Sequence, residues 1–113
     1  GKRLLTDVAT AEVFVALSDP TRRTVFERLS AGPRPVAEIA RDLPVSRPAV
    51  SQHLKVLKEA GLVTAEKRGR QQIYGVRREG LAEMRKWLDG FWDAALQSYA
   101  EAVQQASEER GRT

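Results

Sequence analysis

A connection of only three residues, Leu43-Pro44-Val45, separates two segments with helical periodicity. Residues 35–43 and residues 46–60 both space their apolar side chains by three and four positions, as one face of a helix requires. Ser46 is a favourable N-cap, and Pro48 falls within the first turn, where proline is tolerated. Two short helices joined by so tight a turn predict a helix-turn-helix motif. Its inward positions are Val36, Ile39, Ala40 and Leu43, followed by Val50, Leu54, Leu57 and Ala60.

The opposite face of the second helix is polar and positively charged. The polar and basic residues of this face recur at helical spacing, and Glu59 is the only acidic residue near them. Free backbone N–H groups at the start of the helix add positive potential on the same side. Such a face suits a phosphate backbone, although a merely solvated helix face is the alternative. The residues concerned are Arg47, Ser51, Gln52, Lys55 and Lys58.

A β-hairpin is predicted directly after this helix. Residues 62–67 and 71–76 have the composition of strands, and Arg68-Gly69-Arg70 joins them through a glycine that can adopt positive φ. Residues 20–80 hold 13 Lys or Arg against 6 Asp or Glu, whereas the whole chain carries a net charge of +4. Concentrated basic charge is typical of nucleic-acid binding, and a solvated turn is the alternative for the hairpin tip.

Further helices are predicted on both sides of this central region. Residues 6–18 have helical periodicity, Asp19-Pro20 starts another helix that runs to about Ser30, and residues 79–107 form one long helix. The last helix has two adjoining apolar stripes, more than a small domain covers alone. We expect a second copy to cover them; closure of the monomer's own core is the alternative. The expected interface residues are Val8, Val15, Leu81, Met84, Leu88, Phe91, Trp92, Ala95, Leu96 and Tyr99.

These elements define one mainly α (α+β) domain over residues 1–113, a winged helix-turn-helix in the order α-α-α-α-β-β-α. The predicted core is 19–77, with dimerisation helices at 7–18 and 79–107. The absence of Cys excludes thiolate metal sites and cysteine nucleophiles. One histidine and no glycine-rich phosphate loop argue against an enzyme. With no apolar run of about 18 residues and no secretory signal, we expect a cytoplasmic protein without membrane contact.

Three runs carry a family resemblance: LSDPTRRTVFERL, VAEIARDLPVSRPAVSQHLKVLKEAGLV and EKRGRQQIYGV. Together they resemble the ArsR family of winged helix-turn-helix repressors over residues 14–76. The resemblance implies a homodimeric bacterial transcription repressor. It also implies that helix 46–60 enters the major groove of double-stranded DNA and that the hairpin wing follows the adjacent minor groove or backbone.

The residues at the family's metal positions are not ligands. Metal-sensing members carry Cys-Val-Cys before the turn, where this chain has Pro35-Val36-Ala37. Other members use His, Asp and Glu on the last helix, but this helix has no His, and His53 lies on the basic helix. No metal or other cofactor is therefore expected. The Trp-bearing last helix resembles the metal-free branch of the family, which includes autorepressors. The carboxylates of the last helix are Glu79, Glu83, Asp89, Asp93 and Glu101.

The expected DNA contacts follow from these elements. Arg47, Ser51, Gln52 and Lys55 are assigned to the groove, Ser46 and His53 to the backbone, and Arg68, Arg70 and Gln71 to the wing. Gln52 can pair with adenine, and Arg47 with guanine or phosphate. A dimer places two such helices about one duplex turn apart, so the operator should be an imperfect palindrome.

Some assignments have alternatives. Arg22 and Arg23 are expected either to reach phosphate or, for Arg22, to form an ion pair with Glu27 or Glu38. A further interpretation is a winged helix that binds protein or RNA. Another is an effector-responsive regulator, with an organic ligand in a cleft lined by Trp87, Phe91, Trp92 and Tyr99.

Overall fold

A computed structural model describes residues 8–111 of the chain. Within residues 8–111, five helices and three strands make up the fold, with a 3-10 turn at Arg28–Ala31. The predicted start of the first helix, at Thr6, lies outside the described residues. The elements are α1 (Val8–Ala16), α2 (Pro20–Glu27), β1 (Arg34–Pro35), α3 (Val36–Ala40), α4 (Arg47–Glu59), β2 (Val63–Arg68), β3 (Gln71–Val76) and α5 (Arg78–Gly111).

The predicted fold class is confirmed, since two short helices, α3 and α4, precede a hairpin wing in a mainly helical domain. The predicted order of elements was wrong in one respect. Strand β1 pairs antiparallel with β3 and makes a three-stranded sheet in the order β1-β3-β2. Pro33 precedes this strand and Pro35 is its second residue; both prolines hold the chain extended, and a sheet edge tolerates proline.

Four helix ends also differ from the prediction. Helix α1 ends at Ala16, two residues before the predicted Ser18. Helix α2 stops at Glu27 and tightens into the 3-10 turn. Helix α3 ends at Ala40, and Asp42 then takes a positive φ of 65°. Helix α5 continues to Gly111, four residues beyond the predicted end.

Side-chain caps begin α2 and α4 as predicted. Asp19 accepts a hydrogen bond from the backbone N–H of Arg22 at 3.0 Å, and Pro20 follows at the first helical position. That hydrogen bond is the main reason why the pKa of Asp19 is lowered. Ser46 accepts from the backbone N–H of Ala49 at 3.2 Å, which satisfies one free donor at the start of α4.

The core lies between helices α1 to α4 and the start of β2. The predicted inward residues of the helix-turn-helix motif are buried or partly buried against it. In α1, Thr10, Val13 and Ala16 are buried, while Val8 and Val15, which are predicted to lie in the dimer interface, are 73% and 65% exposed. The fully buried large side chains are Val13, Val25, Leu29, Ile39, Val50, Leu54, Leu57, Leu62 and Val63.

Gly80 fixes where helix α5 leaves this core. A Cβ atom at Gly80 would lie 2.3 Å from the carbonyl oxygen of Gly61 and 3.3 Å from Cα of Leu62. Both are backbone atoms of the turn between α4 and β2, so neither can move aside as a side chain can. The backbone N–H of Arg77 also donates to the carbonyl oxygen of Leu62 at 2.8 Å. Together these contacts set the angle at which α5 leaves the domain.

We expect Gly80→Ala to lower the free energy of unfolding by about 1–3 kcal/mol, as overpacking does. Gly90→Ala, on the same helix with nothing within 4 Å, is the matched control. It should gain about 0.5–1 kcal/mol from helix propensity. Urea unfolding at one fixed protein concentration measures both variants. An equal gain in the free energy of unfolding for Gly80→Ala and Gly90→Ala would contradict close packing at Gly80.

Candidate nucleic-acid interface

Helix α4 presents a polar face that the rest of the domain leaves open. Val50, Leu54 and Leu57 are fully buried and hold the helix against α2 and α3. Arg47, Ser51, Gln52, Lys55 and Lys58 are exposed on its other side. Within residues 8–111, none of these five exposed side chains forms a hydrogen bond or an ion pair. Their donors are therefore available to a ligand without the loss of an internal contact.

The wing carries its charge at the tip, as the hairpin pattern predicts. Gly69 has a φ of +62°, and Arg68 pairs with Gln71 across the turn. Arg70 and Gln71 are exposed and have no side-chain partner among the described residues. Arg68 is different, because its Nη2 and Nε both lie 3.0 Å from a carboxylate oxygen of Glu66. Glu66 was not predicted as the partner of Arg68, although residues two apart on a strand share a face.

Arg22 and Arg23 each have a structural role at the end of helix α1, and a phosphate contact by either one stays a prediction. Nε of Arg22 donates to the carbonyl oxygen of Ala16 at 2.6 Å, and Nη1 of Arg23 donates to that of Leu17 at 2.7 Å. Neither Glu27 nor Glu38 is the partner of Arg22. Two consecutive cations thus stabilise the negative end of helix α1.

His53 is half-buried and faces helix α2. Its Nδ1 lies 3.5 Å from Nη1 of Arg22, so this ring nitrogen points toward the domain. The assignment of His53 to the DNA backbone stays a prediction, and so do the other DNA contacts. Ser46 is exposed but its hydroxyl oxygen already accepts from Ala49 as the helix cap.

A second surface, which we name the apolar stripe, runs along α5. Trp92 and Tyr99 are 59% and 69% exposed, and Leu88, Phe91 and Leu96 are exposed to a similar degree. Leu81 and Met84, also assigned to the dimer interface, instead lie partly buried against the domain's own core. We therefore define the apolar stripe by its exposed members, Leu88, Phe91, Trp92, Leu96, Tyr99 and Val103.

Aromatic contacts attach α5 to α1. The rings of Phe14 and Trp87 meet edge to face with centroids 5.3 Å apart, and Trp87 stacks on Phe91 at 5.7 Å. Two of the four aromatics expected to line a ligand cleft are therefore packed against each other. Val8 and Val15 line a separate open groove of about 390 Å³ between α1 and the end of α4, together with Ala11, Glu12, Val56 and Glu59.

Residues 8–111 contain no group of three or more His, Cys, Asp or Glu side chains that could hold a metal ion. None of the helices there has the length and apolarity that a bilayer crossing requires.

Comparison with known proteins gives a consistent result. Residues 17–66 match the family described as a helix-turn-helix domain. The chain is 56% identical over 88 residues to the HTH-type transcriptional regulator Rv2034 of Mycobacterium tuberculosis, which covers 78% of this chain and 82% of that protein.

Solved structures extend the likeness to the whole fold. The crystal structure of the ArsR family transcriptional regulator RHA00566 is similar with a TM-score of 0.71 and 31% identity, over 76% of this chain and 94% of that one. The homodimeric winged helix-turn-helix DNA-binding domain of Mb0332 from Mycobacterium bovis has a TM-score of 0.61 and 29% identity, over 80% and 83%. The chain therefore belongs to the ArsR family of winged helix-turn-helix transcriptional regulators, which are DNA-binding proteins and not enzymes.

Proposed function

We propose that two copies of this chain bind an imperfect palindromic operator and block a promoter without a metal cofactor. The observation that carries the proposal is the polar face of α4, with exposed and unpartnered donors on a helix whose other face is locked in the core. A rigid helix with free donors suits the major groove, where base edges are distinguished. The basic wing beside it suits the phosphate backbone or a narrow minor groove.

Within this proposal the side chains divide into two groups. Gln52 and Arg47 lie in the N-terminal half of α4 and reach base edges, Gln52 to adenine and Arg47 to guanine or a phosphate. Lys55, Ser51 and the wing residues contact the sugar-phosphate backbone, which supplies affinity with no sequence information. Ser46 and the free N–H groups near it add a further phosphate contact at the helix start.

Dimerisation rests on the apolar stripe together with the exposed side of α1. Six large apolar side chains on one helix, all about half exposed, form a larger patch than a soluble monomer ordinarily leaves open. The similar Mb0332 domain is described as homodimeric, which supports a second copy as the covering partner. In such a dimer, two-fold symmetry places the recognition helices on two half-sites.

Repression follows from occupancy, because a dimer on promoter DNA excludes polymerase. Independence from metal is supported by the absence of Cys in the chain and by Pro35-Val36-Ala37 at the position of the sensors' ligands. A bacterial origin and a cytoplasmic location fit a regulator of this kind.

Selection of duplexes from a random library tests the proposed function. The selected sequences should contain two inverted half-sites whose centres lie about 10–10.5 base pairs, or a multiple of that, apart. Hydroxyl-radical footprinting on the selected duplex should then protect both half-sites. Recovery of single, unrepeated sites would contradict the dimeric arrangement, and recovery of random sequence would contradict specific binding.

The two wing arginines should differ in their effect on DNA affinity. Arg70→Ala removes an unpaired charge, so we expect the slope of log affinity against log salt to fall by about 1, with a similar loss on all sequences. Arg68→Ala should have a smaller effect, because Glu66 already neutralises much of its charge. Fluorescence anisotropy at four salt concentrations measures both slopes. A larger change for Arg68→Ala would show that DNA displaces Glu66.

A further inference from the structure

Arg22 lies where helix α1, helix α2 and the recognition helix α4 meet. It is the third residue of α2, and its backbone N–H donates to the Asp19 cap. Its Nε donates to the carbonyl oxygen of Ala16 at 2.6 Å, at the end of α1. Nη1 of the same guanidinium lies 3.5 Å from Nδ1 of His53, in the middle of α4. One planar cation therefore touches both α1 and α4.

Arg23 also binds the end of helix α1, but it does not contact α4. The carbonyl oxygens of Val13 and Val15 accept from the backbone N–H groups of Leu17 and Ser18. The next two carbonyl oxygens accept from arginine side chains instead, that of Ala16 from Arg22 and that of Leu17 from Arg23. Arg23 donates to the carbonyl oxygens of Leu17 and Ser18 and reaches no residue of α4. Comparison of the two arginines thus separates the stabilisation of α1 from a connection to α4.

We infer that Arg22 is a positioning residue, which ties the orientation of the recognition helix to the end of helix α1 through His53. The inference rests on the proposed function, in which α1 belongs to the dimer interface and α4 reads DNA. Gln52 directly precedes His53, so a rotation of α4 that breaks the contact with Arg22 also moves Gln52 relative to a base edge. The link thereby transmits the geometry of the dimer to the residues that discriminate bases.

The contact requires a neutral His53. A guanidinium is only a donor, so Nδ1 must hold its lone pair and the ring proton must lie on Nε2. Protonation would place two cations 3.5 Å apart and break the link. Asp19 is another charged group at this junction, and its carboxylate accepts a hydrogen bond from the backbone N–H of Arg22. On α4 the positions three and four residues from His53 are Ala49, Val50, Val56 and Leu57, none of them charged.

The test compares DNA selectivity, defined as the ratio of dissociation constants for a random duplex and for the selected operator. We expect Arg22→Met to lower selectivity about three- to tenfold at pH 8, the effect of one lost hydrogen bond. Arg23→Met, the matched control, should leave selectivity unchanged. Arg22→Lys keeps the charge but cannot reach both Ala16 and His53, so it should lose selectivity as Arg22→Met does. Arg22→Lys replaces Arg22→Met in the test if Arg22→Met does not fold.

A pH series distinguishes positioning from mere stabilisation. Wild-type selectivity should fall as the pH is lowered from 8 to 5.5. His53→Asn retains an acceptor near the position of Nδ1 and does not titrate, so its selectivity should not change with pH. The ring-proton NMR signals of the single histidine should shift in Arg22→Met and not in Arg23→Met.

Two results would overturn the inference: unchanged selectivity in both Arg22 variants, or the same pH profile for the wild type and His53→Asn. A rise in affinity for both duplexes at low pH, with constant selectivity, would instead identify His53 as a phosphate contact and also reject the link. A wild type with no selectivity at any pH would refute the proposed function itself, whereas a selective wild type with indifferent variants refutes this inference alone.

Discussion

Trp92→Asp should convert the protein from a dimer into a folded monomer. Trp92 is 59% exposed in the single chain, so the change removes little monomer packing and should alter monomer stability by about 0.5 kcal/mol or less. In the proposed dimer the same position is covered, and an unpaired carboxylate there costs several kcal/mol. Sedimentation velocity gives the mass, and far-UV circular dichroism shows whether the monomer is folded.

Operator affinity should fall with the loss of the dimer. Binding of the second half-site within a dimer gains about 10²–10⁴ in affinity over one site, and a monomer forfeits that gain. Ala94→Asp is the matched control, because it introduces the same charge into the same exposed helix, some 200° around from Trp92. It should stay dimeric and bind as the wild type does. A Trp92→Asp protein that remains fully dimeric would remove the apolar stripe from the interface.

Gln52→Ala and Lys55→Ala should weaken DNA binding in different ways. Loss of a bidentate amide contact to adenine costs about 1–3 kcal/mol on the operator and almost nothing on random DNA. Base preference at the contacted position should relax accordingly. Lys55→Ala removes a phosphate contact, so it should weaken binding to both duplexes alike and lower the salt slope by about 1.

Titrations of both variants on operator and random duplex, at two salt concentrations, distinguish these effects. Neither residue has an internal side-chain partner in residues 8–111, so a folding defect does not confuse the comparison. An equal loss on both duplexes for Gln52→Ala would rule out base readout by that side chain. A sequence-dependent loss for Lys55→Ala would assign it to a base edge.

Local sequence patterns predicted helix α4 and the hairpin wing. The apolar spacing of α4, the cap at Ser46 and the turn glycine at position 69 each depend on residues close in sequence, and all three are seen in the structure. The sequence did not predict which face of α1 is buried in the core, because its nine residues VATAEVFVA have apolar or small side chains on nearly every face. Burial in such a helix is decided by the neighbours it meets.

The contacts that the sequence analysis missed join segments far apart in the chain. Arg22 meets His53 across 31 positions, and Gly80 packs on Gly61 across 19. No periodicity reports such pairs, because each depends on the angle between packed helices. Strand β1 is similar, since the two residues Arg34–Pro35 become a strand only when β3 lies alongside.

One titration tests the central claim, that this chain is a metal-independent, sequence-specific DNA-binding protein. Fluorescence anisotropy would follow the protein against its own promoter fragment and a scrambled fragment, at two salt concentrations, with added Zn²⁺ and with a chelator. The account predicts tight binding to the promoter, much weaker and salt-sensitive binding to the scrambled fragment, and no change with Zn²⁺. Equal, weak binding to both fragments, or selectivity that appears or disappears with Zn²⁺, would contradict it.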